Sequence, residues 1–571
     1  MFGTRRSSGA YPGTILVGLV TVLAACAPSP AAPVARSDAP SSTSAPARPT
    51  RLTVAIPSEP SGFSDKLLQA SSDMDVLFEA NLAYLDDTDT PRPLLAERLP
   101  TQSDGSWVVN ADGTMRTTYA LKPDLKWSDG QPLTARDFVL AHTVYTDDEI
   151  PVARRLPEAL MTGVVARDAR TVEITWREPY FGAGGLNNRE LPPMPHHMLA
   201  DLWSQDKNAF LNSTFWTSPE YVGVGPFRPV AWDKGISITF EANPYFALGR
   251  PRVDTLRLAF AADANTVGAR LLAGDVDVFP TATAQLALTL KDRWQADNAG
   301  EIYVISMKVR RLYFQFRDVP NHQKAVLDPR IRQALVHAVD RPALAAAVQG
   351  SFGIPADTAY PPGSRLFQRI DQSIAKYPHD ATRAQSLLRD ARWTTGADGL
   401  LRDSGGRMLD VEVRTTEDQD ATIIADYWRQ TGINSSPLII SGINRRDDEY
   451  RASFPATQLQ GGSGGYLTTL CTACAPSPAN RFRGSNNRGT YSNPEYDRLY
   501  SLQLATLDPA KRDDVLVDLE RLTTQDLAAG YMVYDAAPLV ALSRVAGIKN
   551  ATKELGNAFY NVWEWTVEEQ R

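Results

Sequence analysis

The residues with the clearest chemical potential lie between Gly461 and Cys474. Gly461-Gly-Ser463-Gly-Gly465 satisfies the spacing G-x-S-x-G, in which a serine on a sharp strand-to-helix turn attacks a carbonyl. A hydrolase of that order needs an acid and then a histidine further along, and no histidine follows Ser463. The triad does not close, and the glycines keep a simpler use, letting backbone approach a small partner closely. Cys471-Thr-Ala-Cys474 has the C-x-x-C spacing of a redox dithiol, which would open a helix in a much smaller fold; a structural disulfide is the other reading. A zinc site would need two more ligands, and the nearest histidine in sequence is His379. His196-His197, inside Pro192-Pro-Met-Pro-His-His-Met198, reads as structural, and Asp447-Asp448 lies among arginines as a solvated surface. No cluster of acids and bases suited to turnover is legible, so the expectation is binding without catalysis, cofactor or metal.

At 571 residues the chain exceeds what one hydrophobic core usually organises, so two or three lobes are expected. Apolar residues make up 43% and charged residues 22%, ordinary for a soluble globular protein. A formal charge of −7 is mild for this size and weighs against nucleic acid as the partner, because phosphate binding needs clustered Lys and Arg. Arg5-Arg6 precede a mostly apolar run from Thr14 to Ala25, short for a membrane span and right for the core of an export signal. The run ends in Leu23-Ala24-Ala25-Cys26, which resembles the lipobox of bacterial lipoproteins. There, small residues suit the peptidase and the Cys26 thiol takes the lipid. Residues 1–25 are thus expected to be a lipoprotein signal peptide. Residues 26–50, dominated by Ala, Pro, Ser and Thr, are expected to be a flexible tether outside the cytoplasm, anchored at the bacterial cell membrane. Sec and twin-arginine export both stay open, since Ser7-Ser8-Gly9 lacks the usual apolar residues after the arginine pair. In an exported chain with Cys26 lipidated, Cys471 and Cys474 are the remaining cysteines, which favours the disulfide.

The elements that must hold these residues follow from local turn and cap chemistry. Arg51-Leu-Thr-Val-Ala-Ile56 alternates and is β-branched, so a strand is expected, followed by a loop from Pro57 to Phe63. A helix is expected from Asp73 to about Ala83 with Asp73 as N-cap, and a strand over Thr114 to Leu121. Trp127-Ser-Asp-Gly130 has turn chemistry, and Thr134-Ala-Arg-Asp137 is a capping box for a helix through Tyr145. Asn265 to Ala273 reads as helix, Gly274 as its C′ residue and Val276 to Phe279 as a strand. Asp328-Pro329, Asp340-Arg-Pro342 and Asn493-Pro494 each place a capping residue before a first-turn proline, and the second of these helices stops at Gly350. Strands and helices mix throughout, an α/β architecture.

Tyr119-Ala-Leu-Lys-Pro-Asp-Leu-Lys-Trp-Ser-Asp-Gly-Gln-Pro-Leu-Thr-Ala-Arg-Asp-Phe138 resembles the signature of the extracellular solute-binding proteins of family 5. These are the substrate-binding lipoproteins of oligopeptide, dipeptide and nickel ABC importers. Further similar blocks follow in family order. They are Pro93-Leu-Leu-Ala-Glu97, Thr171-Val-Glu-Ile-Thr-Trp-Arg-Glu-Pro-Tyr180, Val224-Gly-Pro-Phe227 with Asn243-Pro-Tyr-Phe246, Leu272-Ala-Gly-Asp-Val-Asp277, Arg330 to Arg341 and Tyr491-Ser-Asn-Pro-Glu-Tyr-Asp497. The resemblance implies a two-lobed periplasmic-binding-protein fold (type II, cluster C) with an extra α/β domain inserted in the first lobe. Lobe I would take residues 51–84, 221–309 and 541–571, the insert 85–220 and lobe II 310–540, with hinge crossings near Val309-Arg310 and Val540 to Arg544. A peptide-like or other small polar solute would be captured in the cleft by a monomer and handed to permease and ATPase subunits. A sensor or chemoreceptor partner is the alternative, and an anchored hydrolase a remote one.

The resemblance also implies cleft residues. Ser58, Glu59 and Phe63 follow the first strand, and Tyr180 closes a family block. Glu79 sits where the family has an acid beside the site, and capping or solvating a helix face is its other reading. Tyr466 ends the glycine run in a segment that contacts ligand in the family; a loop without contact is the alternative. Peptide-binding members carry an aspartate there that pairs the peptide's α-amine. Gln458 to Ala479 has neither Trp nor any acid, which puts peptide in doubt unless Glu59 or Glu79 serves.

Overall fold

The structure, a computed structural model, describes residues 49–68, 74–152, 156–187, 190–416, 418–445, 447–462, 470–478, 482, 487–549 and 557–568. The export signal, Cys26, the tether through residue 48, Asp73 and Ser463 to Tyr466 lie outside the described residues.

Arg51–Ile56 is the strand its alternation calls for, and it sits inside a sheet. It pairs in parallel with Thr255–Phe260 on one side and with Val278–Phe279 on the other. Both faces are therefore covered: Leu52 and Val54 enter one core, Ala55 another. The eleven-stranded sheet runs in the order Asn434–Ile439, Asp410–Thr415, Thr457–Gly462, Gly300–Phe314, Ala529–Leu542, Val278–Phe279, Arg51–Ile56, Thr255–Phe260, Ser237–Ala242, Phe227–Asp233, with Ile354–Pro355 added beside Ala529–Leu542.

Two long strands dominate this sheet. Gly300–Phe314 and Ala529–Leu542 pair antiparallel from Gly300 opposite Leu542 to Tyr313 opposite Ala529. At one end Ile302, Val540 and Leu542 pack with Val267, Leu271 and Trp294. At the other, Leu312, Met532 and Val533 join the core around Leu335, Val411 and Trp428. Val309, Tyr313 and Tyr534 join a third core with Tyr496 and Leu516. The passage between these groups falls at 304–308 and 535–538, where the register shifts between Val304 and Ser306.

A separate antiparallel sheet of Trp107–Val109, Met115–Ala120, Thr171–Trp176 and Met161–Ala166 is covered by the helix Ala135–Thr146. That helix starts at the expected capping box, and Gly130 in the preceding turn has φ +88°. The buried Asp137 carboxylate accepts from Thr134 N at 2.6 Å and, through its other oxygen, from His196 N at 2.8 Å. One side chain thus ties a helix start to the chain some sixty residues on. The Arg512 guanidinium of the helix Pro509–Asp526 lies 3.4 Å over the Phe181 ring.

One expectation is corrected. The helix expected from Asp73 to about Ala83 is in fact the single turn Asp75–Phe78, and the chain is already extended at Ala83–Leu85. The Phe78 carbonyl accepts from Val224 N at 3.1 Å and Gly225 N at 2.9 Å, so it is not available to continue the helix. A Cβ on Gly223 or Gly225 would collide with the Phe78 backbone, so glycine is required for this approach.

Asp137→Ala is expected to lower stability by about 2–4 kcal/mol, because it removes a cap and leaves a buried N–H without an acceptor. A urea-midpoint shift measures this. Asp129→Ala, at a half-exposed pair with His197, should cost under about 1 kcal/mol.

Candidate functional site

The carboxyl ends of Arg51–Ile56 and Thr255–Phe260 point toward the strand passage. The neighbouring Val278–Phe279 runs parallel to the first strand, and just past it Ala282 N donates to Pro538 O. Loops at the carboxyl ends of parallel strands are where such sheets present ligands. Ser58 and Glu59 are exposed there. Glu59 is held rather than loose: Oε1 accepts from Trp232 Nε1 at 2.7 Å and Oε2 from Gly235 N at 3.1 Å. Lys234 Nζ sits 3.2 Å over the Trp232 ring, fixing an alternating array of acid, indole and ammonium. Phe63 lies beneath this surface, 1% exposed, with Phe78, Tyr221 and Trp232 rings at 5.2, 5.1 and 5.0 Å. Its ring is consumed by packing.

Glu79 and Tyr180 are elsewhere. Glu79 follows the single-turn helix at the opposite end of the sheet, beside Pro226 and Phe246, and it hydrogen-bonds the Tyr221 hydroxyl. Burial first, and then Glu79, holds that hydroxyl well above its ordinary range. Tyr180 is buried, stacked on Trp176 at 5.5 Å, and donates to Glu190 Oε1 at 3.0 Å. Tyr466 lies outside the described residues.

The two long strands also carry a charged group, of which the sequence named only Arg310, as a crossing. Arg310 forms an ion pair with Asp420 and another, at 3.1 Å, with Asp535, whose Oδ1 also accepts from Gln349 Nε2 at 2.6 Å. Burial works against the guanidinium's charge, but Asp535 and Asp420 outweigh it and raise its pKa above the ordinary value. The carboxylates are not equivalent, for Asp420 is 3% exposed and Asp535 30%. Asp535 therefore has a face left over. Gly461 stands directly opposite Arg310 at the end of Thr457–Gly462, and among the described residues a Cβ there would meet only Asp535 Oδ2, at 3.9 Å, within 4 Å. Among the described residues the glycine leaves space beside the carboxylate.

Beyond the glycine run the chain is pinned. Cys471 and Cys474 are joined by a disulfide around the short turn Thr472–Cys474. Asn487 Nδ2 donates to the carbonyls of Leu470, Cys471 and Tyr491 at 3.1, 3.0 and 2.8 Å. Thr472 N donates to Asp497 Oδ1 at 2.7 Å, tying this turn to the helix Pro494–Ala505. Among the described residues no group of three or more His, Cys, Asp or Glu is placed to hold a metal ion.

Glu190 carries a pH signature. Burial pushes its carboxyl up to about 7, against bonds from Asn187 N and Tyr180 that favour ionisation. The folded chain then keeps a proton that the unfolded chain has already lost. Stability from this group is full below the ordinary carboxylate range and lost as pH rises through about 7. The melting temperature should therefore fall from about pH 5 to about pH 8, and Glu190→Gln, which mimics the protonated acid, should flatten that fall.

Residues 90–469 match the family model of bacterial extracellular solute-binding proteins, family 5, middle. The chain is similar to Protein XP55 of Streptomyces lividans, 28% identical over 487 residues, covering 83% of this chain and 82% of that one. It is 22% identical over 576 aligned positions to the oligopeptide-binding protein AppA of Bacillus subtilis, covering 98% and 99%. In fold it resembles the crystal structure of NikZ from Campylobacter jejuni in complex with Ni(L-His), with a TM-score of 0.72 at 20% identity, covering 90% of this chain and 99% of that one. The large mixed sheet and the two groups of cores it carries are the two-lobed architecture of such proteins. The chain belongs to the bacterial extracellular solute-binding proteins of family 5.

Proposed function

We propose that this protein captures a small polar solute, peptide-like or otherwise amine-bearing, between its two lobes and delivers it to an ABC permease while Cys26 tethers it to the membrane. Residues 51–84, 221–309 and 541–571 would form lobe I, residues 85–220 the insert and residues 310–540 lobe II. The strands Gly300–Phe314 and Ala529–Leu542 would act as the hinge. The single observation behind this reading is that two acids, Glu59 in the loop past the first strand and Asp535 in the strand passage, are each held by fixed partners. Asp535, beside Gly461, would receive a ligand ammonium in place of the acid missing from 458–479. A ligand touching both lobes binds the closed form better than the open one, and that difference in affinity is what drives closure. The permease then reads the closed form.

Residues Pro49–Arg571 pack as a unit of their own. Native mass spectrometry of that unit is expected to find a retained small molecule whose mass gives the solute class. Asp535→Asn should weaken its binding about tenfold or more, the cost of losing one charge-assisted hydrogen bond. Unchanged affinity in Asp535→Asn would remove the amine from this reading. Cys26→Ala should release the protein from membranes into the soluble fraction of cells that make it, and retention at the membrane would refute the anchor.

A further inference from the structure

The helix pair Pro494–Ala505 and Pro509–Asp526 is rooted in one core and reaches another. Tyr496, Leu499, Leu516 and Leu519 belong to the core that holds Val309 and Tyr534. Leu504 and Leu507, at the turn between the two helices, pack instead against the core that holds Leu52, Trp176 and Phe240. Five residues beyond Leu507, the Arg512 guanidinium lies 3.4 Å over the Phe181 ring, and Phe181 packs against that same core.

Both sides of this contact are held in place. Phe181 opens the short turn Phe181–Gly184 directly after Tyr180, whose ring lies 5.2 Å away and is itself stacked on Trp176. Arg512 Nη2 donates to Gln503 Oε1 at 3.4 Å, and Gln503 is buried. A guanidinium over an aromatic face is attractive, and the planar group loses little freedom in making the contact. One ring, one guanidinium and two half-buried leucines nevertheless make a small contact. A contact of that size biases the arrangement of two domains without locking it.

On the lobe assignment proposed above, on which this inference rests, Phe181 stands in the insert and the helix pair in lobe II. We propose that Arg512 on Phe181, with Leu504 and Leu507 beside them, is a latch between lobe II and the insert that holds part of the population shut before any solute arrives. The solute then has less of the closing free energy to supply. The test measures the spacing of the lobes by double electron–electron resonance in the full chain, stripped of solute by partial denaturation and dialysis. Spin labels at the exposed Gln102 and Gln372 are carried on a ketone-bearing unnatural amino acid, which leaves the cysteines untouched. Two populations are expected, one at the spacing of this structure and one longer. Arg512→Ala should lower the ratio of the first to the second about fivefold, and Arg512→Lys, which keeps a cation, by less. Phe181→Leu, which keeps an apolar side chain without a ring face, should match Arg512→Ala, and the double variant should add little to either. Should Phe181→Leu fail to fold, as read by far-ultraviolet circular dichroism, Arg512→Ala against Arg512→Lys carries the comparison. Two populations in the same ratio in every folded variant overturn the latch and leave interlobe capture standing. A single unchanged spacing in all of them overturns the latch and the moving lobes together.

Discussion

The pairing of Gly300–Phe314 with Ala529–Leu542 is the constraint on which the rest depends. Each strand leaves one core and enters others without a break in hydrogen bonding except at two register shifts. The lobes are therefore not beads joined by a loose linker. They share backbone, and the irregularity between Val304 and Ser306, where the ladder has a residue too many on one side, falls between the cores. Bending either strand within a core would disturb close packing.

The same pairing explains the charged group around Arg310. Arg310 sits in one long strand and Asp535 in the other, 225 residues apart in sequence. Burying a guanidinium is costly unless its partners are fixed, and here two carboxylates and the Gln349 amide fix them. Asp420 serves the arginine from inside, leaving Asp535 with the solvent-facing role. On the first lobe Glu59 is fixed by an indole N–H and a backbone N–H. Both acids are thus held by partners of their own, so in the proposed capture they would need little ordering on binding.

Features set by chemistry within a few residues were legible in the sequence. The positive φ at Gly130, the Thr134–Asp137 box and the aspartate–proline helix starts at Asp328 and Asp340 all occur as expected. What depends on distant chain was not. The helix before Glu79 stops early because Val224 and Gly225 claim the Phe78 carbonyl, and nothing in Asp73 to Ala83 announces that. Phe63 and Tyr180 read as aromatics near a ligand, yet the structure uses their rings in cores. Asp535 left one trace: it is the lone charge in the otherwise apolar run Ala529–Leu542.

The order in which strands arrive has a consequence for biogenesis. Ala541 and Leu542 must be present before Val278 and Gly300 have their central neighbours, so the sheet around Arg51–Ile56 waits on chain far later in the sequence. A nascent polypeptide of this design cannot complete its central sheet from its earlier segments alone.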